Sequence, residues 1–235
     1  MTTIFWAGDS TVKQNTILTY PQTGIGQMFD RFIRRYEVVI DNHAENGRST
    51  KDFMDEGRLA RIYDRITEGD FLFIQFGHND AGAINTGKAR AELPGSGYES
   101  KVFKMEKTGM YQVIYTFGWY LRKFIMDAKE KGAIPIVLSH TPRNMFDNGK
   151  IQRNTNSFGK WTREAAEQAG AYFIDLNKIT GDKLEKMGYE EGLRVVGEYF
   201  NRDHTHSSLK GAHLNAQSIA EGLQATDCPL KEYLK

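Results

Sequence analysis

Two runs in this chain, "FLFIQF" at Phe71–Phe76 and "IPIVL" at Ile134–Leu138, offer almost nothing polar to water. A strand with one wet face alternates apolar and polar residues; a run that does not is buried on both faces. Thr3–Ala7, Glu37–Asp41 and Ala171–Asp175 are equally short and rich in apolar, β-branched or aromatic residues. Helical patterns separate them. Ile25–Arg35 carries Met28, Phe29, Phe32 and Ile33 on one side, and Thr50–Ile66, Val113–Lys131, Lys160–Ala169 and Ala212–Leu223 follow, with Lys131-Gly132 as a C-terminal stop. Alternating strands and helices predict a parallel sheet covered on both faces, with right-handed crossovers. The expected fold is α/β: a three-layer α/β/α sandwich with a flavodoxin-like parallel sheet of about five strands. With 235 residues and no repeat or linker, the chain reads as one domain, 1–235. Ala81–Gly109, with five glycines, is long for a strand-to-helix connection and is expected to be a functional insertion.

Charge narrows the function classes. Lys plus Arg number 31 against 30 acidic residues, so neither nucleic acid nor a membrane surface is an expected partner. The single cysteine, Cys228, excludes an internal disulfide framework and a Cys-based zinc cluster. No apolar run approaches membrane-spanning length, and Ile4–Ala7 is too short for the core of a signal peptide. The expected location is cytoplasmic, or secreted if a leader has been removed. Nothing in the sequence sets an oligomeric state.

Ligands of open parallel sheets bind outside the carboxyl ends of the strands. There the chain places "GDST", "NHAENGRS", "GHND" and "HTPRN" after the first four strands. A serine nucleophile needs a general base and a group to orient that base. "RDHTHSSLKGAHLN" supplies both, with Asp203 three residues before His206 and His204 expected to point elsewhere. The plainer reading of that segment is a capped helix start with solvated histidines. Metal is a rival, since "DHTH" and "GHND" carry ligand types, but no helical His-x-x-x-His pair accompanies them and no metal is expected. No glycine-rich phosphate loop follows the first strand, so no cofactor is expected either. Acyl transfer also needs donors for an oxyanion. The Gly47 N–H and the Asn79 side chain are candidates; singly, each reads as a turn glycine and a loop amide.

Taken together, Ser10 in "GDST", Gly47 in "NGRST", Asn79 in "FGHND" and Asp203/His206 in "DHTH" resemble the four blocks of the SGNH (GDSL-like) hydrolase superfamily, in family order. "GDST", "GHND" and "DHTHSSLKGA" resemble more narrowly its rhamnogalacturonan acetylesterase branch. The resemblance implies ester hydrolysis without a cofactor, with Ser10 as nucleophile, His206 as base and then acid, and Asp203 orienting it. Ser10 N–H, Gly47 N–H and the Asn79 side chain would form the oxyanion hole. Asp9, His78 and Arg48 are expected substrate contacts, and the substrate an acetylated carbohydrate of pectic type. Lys13, Arg48 and Arg143 are candidates for its carboxylates, and Tyr98, Tyr199 and Phe200 for stacking on its sugars. Alternatives are an esterase of the same superfamily acting on another acylated carbohydrate, a lipid or a thioester, and a non-catalytic carbohydrate-binding module. A flavodoxin-like cofactor binder is a third.

Overall fold

Alternation within each strand explains why the strands are apolar throughout. A computed structural model of the chain describes residues 1–187, 197–201 and 203–235. Its strands are β1 Thr2–Gly8, β2 Val38–Asn42, β3 Phe71–Gln75, β4 Ser100–Lys104, β5 Tyr111–Tyr115, β6 Ile134–Leu138, β7 Phe146–Asp147, β8 Lys150–Ile151 and β9 Tyr172–Ile174. Five form the main sheet, in the order β2-β1-β3-β6-β9, every pair parallel. Ile4, Trp6, Phe71, Phe73, Ile136 and Leu138 point into one apolar layer, while Phe5, Ala7, Leu72, Ile74 and Val137 point into the other. Register places Trp6 opposite Phe73, and their rings stack with centroids 4.3 Å apart.

Helices cover both faces. α1 Ile25–Met28 and the last helix close the first layer; α2 Thr50–Asp55, α3 Arg58–Tyr63, α4 Phe117–Glu130 and α5 Phe158–Ala169 close the second. α6 Leu176–Lys186 and α7 Leu209–Gln224 complete the described helices. This is the three-layer α/β/α sandwich expected. The strand order reverses between β1 and β3, where doubly wound sheets open a crevice at their carboxyl ends. β1 is interior but not the middle strand; β3 holds that place.

Several boundaries differ from the sequence reading. The helix read over Ile25–Arg35 stops at Met28 and tightens into a 3₁₀ turn at Phe29–Arg31. Thr50–Ile66 is two helices, because Gly57 turns left-handed (φ 69°) between them. Val113 belongs to a hairpin: β5 pairs antiparallel with β4, and α4 starts only after Thr116, whose hydroxyl accepts from Trp119 N. α6 is absent from the sequence reading, although Asp175 caps it and Leu176, Thr180 and Leu184 repeat at four-residue spacing on its buried side. No helix among the described residues is long and apolar enough to cross a membrane.

Candidate active site

The Asp9 carbonyl accepts from Val12 N and Lys13 N, and its Oδ1 accepts from Thr11 N and Thr11 Oγ1 at 2.8 Å. Aspartate folds the chain back on itself this way in Asx-type turns. Ser10 is left at the tip of the turn, at the end of β1. Asp9, an expected substrate contact, lies beneath the turn with both oxygens engaged. It is fully buried, a strut under the turn, its Oδ2 accepting from Asn79 Nδ2 at 3.3 Å. Burial raises its carboxyl from its ordinary value, against the lowering pull of the Thr11 hydrogen bonds.

The base arrives on the loop before α7. Asp203 Oδ1 accepts from Thr205 N and His206 N, both at 2.8 Å, which closes the loop. Its Oδ2 lies 2.5 Å from His206 Nδ1, and His206 Nε2 lies 2.8 Å from Ser10 Oγ. The three-residue spacing lets one carboxylate hold both the backbone and the ring. Burial pushes Asp203 up, but the hydrogen bonds from the His206 ring, His206 N and Thr205 N outweigh it and hold the carboxyl below its ordinary value. An ionised Asp203 favours the tautomer with the proton on Nδ1, leaving Nε2 to accept from Ser10. His204 turns away, its Nδ1 3.0 Å from the Asn144 carbonyl.

Donors for an oxyanion come from the two neighbouring strand ends. The N–H groups of Ser10 and Gly47 have no hydrogen-bond partner among the described residues. Gly47 sits at φ 74°, and Arg90 Nη1 donates to its carbonyl at 2.9 Å. Asn79 is aimed at the Ser10 turn, but both its amide protons are engaged at long range, with Asp9 Oδ2 and with the Arg48 carbonyl at 3.2 Å. It has to exchange one of these for an oxyanion. Its position is set by Asp80, whose oxygens accept from Gly77 N and Thr50 N, both at 2.8 Å. Gly77 itself sits at φ 131°, a conformation strained for other residues, and a Cβ there would crowd the His140 ring at 3.1 Å.

Sequence reasoning misses the carboxyl pair beneath this loop. Glu92, from the insertion, accepts from Lys51 N at 2.9 Å, so Asp80 and Glu92 together cap the first turn of α2. Burial, reinforced by neighbouring carboxyl groups, raises Asp80 to about 7 and Glu92 well above its ordinary range. Stability from such groups is fully present below the ordinary carboxylate pKa and is lost as pH rises through the raised values. Glutamine keeps an oxygen to accept from Lys51 N and Thr50 Oγ1 and leaves no charge to bury at high pH. Glu92→Gln should therefore gain Tm relative to the parent between pH 5 and pH 8, on the order of 2–5 °C. Thermal melts at both pH values check this; a Tm difference that stays constant would contradict it.

The expected outer contacts divide. Lys13 pairs with Glu45, and Arg48 pairs with Glu56 while donating to the Asn46 carbonyl, so both guanidinium and ammonium are already neutralised. Arg143 forms no ion pair among the described residues and lies 3.5 Å from His78 Nδ1. His78 is partly buried, its Nε2 2.9 Å from Thr141 Oγ1; burial, with His140 and Arg143 beside it, lowers its pKa well below the ordinary histidine value and keeps it neutral. Phe200 is packed with Ile151, Leu184 and Leu214, a core residue rather than a stacking platform. Tyr98 is exposed, with the Arg122 guanidinium 4.0 Å from its ring centroid.

A serine at the end of the first strand of a doubly wound sheet, in line with a histidine and an aspartate from the last loop, is the arrangement of an acyl hydrolase. The family model of GDSL-like lipases and acylhydrolases matches residues 7–217, and the chain belongs to that family. It is 35% identical to the rhamnogalacturonan acetylesterase RhgT of Bacillus subtilis (strain 168), over 98% of this chain and 93% of that protein. With a rhamnogalacturonan acetylesterase of Emericella nidulans it shares 30% identity, over 99% and 89% of the two chains. Among solved structures, the Bacillus subtilis protein YxiM superposes with a TM-score of 0.77 at 24% identity, covering 97% of this chain. This chain spans 57% of that one, and the likeness bears on the fold.

Proposed function

We propose that this chain is a serine esterase that removes O-acetyl groups from a pectic polysaccharide or oligosaccharide. The observation that carries the chemistry is the unbroken Ser10–His206–Asp203 line, 2.8 and 2.5 Å between partners. The names of the relatives supply the substrate class. In this reading Ser10 Oγ attacks the acetyl carbonyl carbon as His206 Nε2 takes its proton. Asp203 holds the ring and stabilises the imidazolium. The oxyanion is met by the N–H groups of Ser10 and Gly47 and by Asn79 Nδ2. Collapse breaks the ester C–O bond, and His206 returns the proton to the departing sugar hydroxyl. Water then repeats the sequence on the acetyl-enzyme. His78 and Arg143 flank the acyl site, and Arg143, without an ion pair among the described residues, is free to meet a substrate carboxylate. The intact relay weighs against a non-catalytic binding module.

Acetate release from acetylated rhamnogalacturonan, acetylated xylan and aryl esters tests the assignment. Release from the pectic polymer should exceed that from xylan; the reverse order would move the substrate class. Aryl acetate should be preferred over butyrate and octanoate by at least about tenfold in kcat/KM. Ser10 is 6% exposed and surrounded by polar groups, so added methylenes forgo the ~0.8 kcal/mol each that an apolar pocket would give. Overfilling a packed site adds about 1–3 kcal/mol. A rate that climbs with chain length would point to a lipid or thioester substrate.

A further inference from the structure

The loop that carries Gly47 has two sides. One faces the Ser10 turn: Glu45 N donates to the Gly8 carbonyl, and the Arg48 carbonyl accepts from Asn79. The other lines a cleft of about 620 Å³, a volume in the range of small-ligand sites. Its remaining walls are α2 with the Glu56 that follows it, the insertion after β3, and Gln112 of β5.

The cleft is unevenly charged. Arg48, Lys51, Lys88, Arg90 and Lys107 line it, against the carboxylates of Asp52 and Glu56. Arg48 is paired with Glu56, and Lys51 with Asp55. Lys88, Arg90 and Lys107 form no ion pair among the described residues, and all three come from the insertion. A second cleft, about 680 Å³ between α5 and α6, makes the contrast. There Lys150, Arg153, Lys160, Arg163 and Lys178 each meet a carboxylate, so no charge is left over for a ligand.

We propose that this cleft is a subsite for an anionic sugar chain, with Lys88 and Lys107 meeting the carboxylates of uronic acid units next to the one being deacetylated. The proposal rests on the esterase reading and deepens it. The insertion then serves to carry unpaired cations to the edge of the acyl site. A cleft lined by unpaired cations concentrates an anionic chain there. Arg90, committed to the Gly47 carbonyl, ties the cleft wall to the oxyanion loop.

An unesterified oligogalacturonate is the probe, because it carries the charge and offers no acetyl group to hydrolyse. Titrated into the full chain at low ionic strength, it should bind about fivefold more weakly to Lys88→Ala/Lys107→Ala than to the parent. Lys107→Glu should also weaken binding. Added salt should weaken the parent more steeply than the double variant, and a neutral xylo-oligosaccharide should not distinguish the two. Equal oligogalacturonate affinity in parent and double variant would overturn the subsite. Aryl acetate hydrolysis by the same preparations reads the esterase assignment separately. Aryl acetate turnover with equal affinities overturns the subsite alone; lost affinity in the variant of a chain that never cleaves aryl acetate supports the subsite and overturns the esterase.

Discussion

Ser10→Ala should lower kcat on an aryl acetate by about 10⁴- to 10⁶-fold, and His206→Ala by a similar factor, because members of such a relay act as a unit. The 2.8 Å contact between Ser10 Oγ and His206 Nε2 is the physical basis: neither group has another partner in the line. The double variant should lose no more than either single one. His204→Ala should stay within about tenfold of the parent, since its ring is turned to the Asn144 carbonyl and not to Ser10. Circular dichroism separates a lost reaction from a lost fold. Near-parental turnover in folded Ser10→Ala would remove the serine from the mechanism, and a dispensable His206 beside an indispensable His204 would reassign the base.

Asn79→Ala should lower kcat by roughly 10²- to 10³-fold, with a smaller change in KM, as loss of one oxyanion donor does. The amide matters most when charge has developed on the acyl oxygen, so ground-state binding should suffer less. The variant also strips Asp9 Oδ2 of a hydrogen bond in a fully buried place, a loss of about 1–3 kcal/mol in stability. Rates must therefore be compared well below both melting temperatures. Asn79→Asp should fail as well, since a carboxylate cannot donate and would stand 3.3 Å from another one. A change confined to KM would make Asn79 a binding residue only.

What the sequence discloses follows from local chemistry. Continuous apolar strands announce a sheet buried on both faces, because alternate residues of β1, β3 and β6 feed opposite core layers. Asp203 and His206 are legible because their relation is local, three residues within one loop. The burial of Asp9 is illegible for the opposite reason. Its partners lie both two residues away and seventy residues away, and only the fold shows that they bury it. Glu92 gives no local sign at all: its partners, Lys51 N and Thr50 Oγ1, belong to a helix some forty residues earlier. The charge of the insertion is visible in composition, but which lysines lack a carboxylate is a property of the assembled cleft. Strand β5 reads as part of α4 because "YQVIY" runs directly into the helix, and the Thr116 cap that divides them has an ordinary sequence signature.

For the relay to work as an esterase, Ser10 must become acetylated and then deacetylated. Rapid quenching of the enzyme during turnover of an acetylated substrate, followed by peptide mass analysis, tests this directly, best in Asp203→Asn, where turnover slows and the intermediate can be sampled early. The expected result is an acetyl group on the peptide containing Ser10, absent from Ser10→Ala and lost on further incubation. Hydrolysis proceeding at the same rate with no acetyl group on that peptide, or with one carried by another residue, would contradict it.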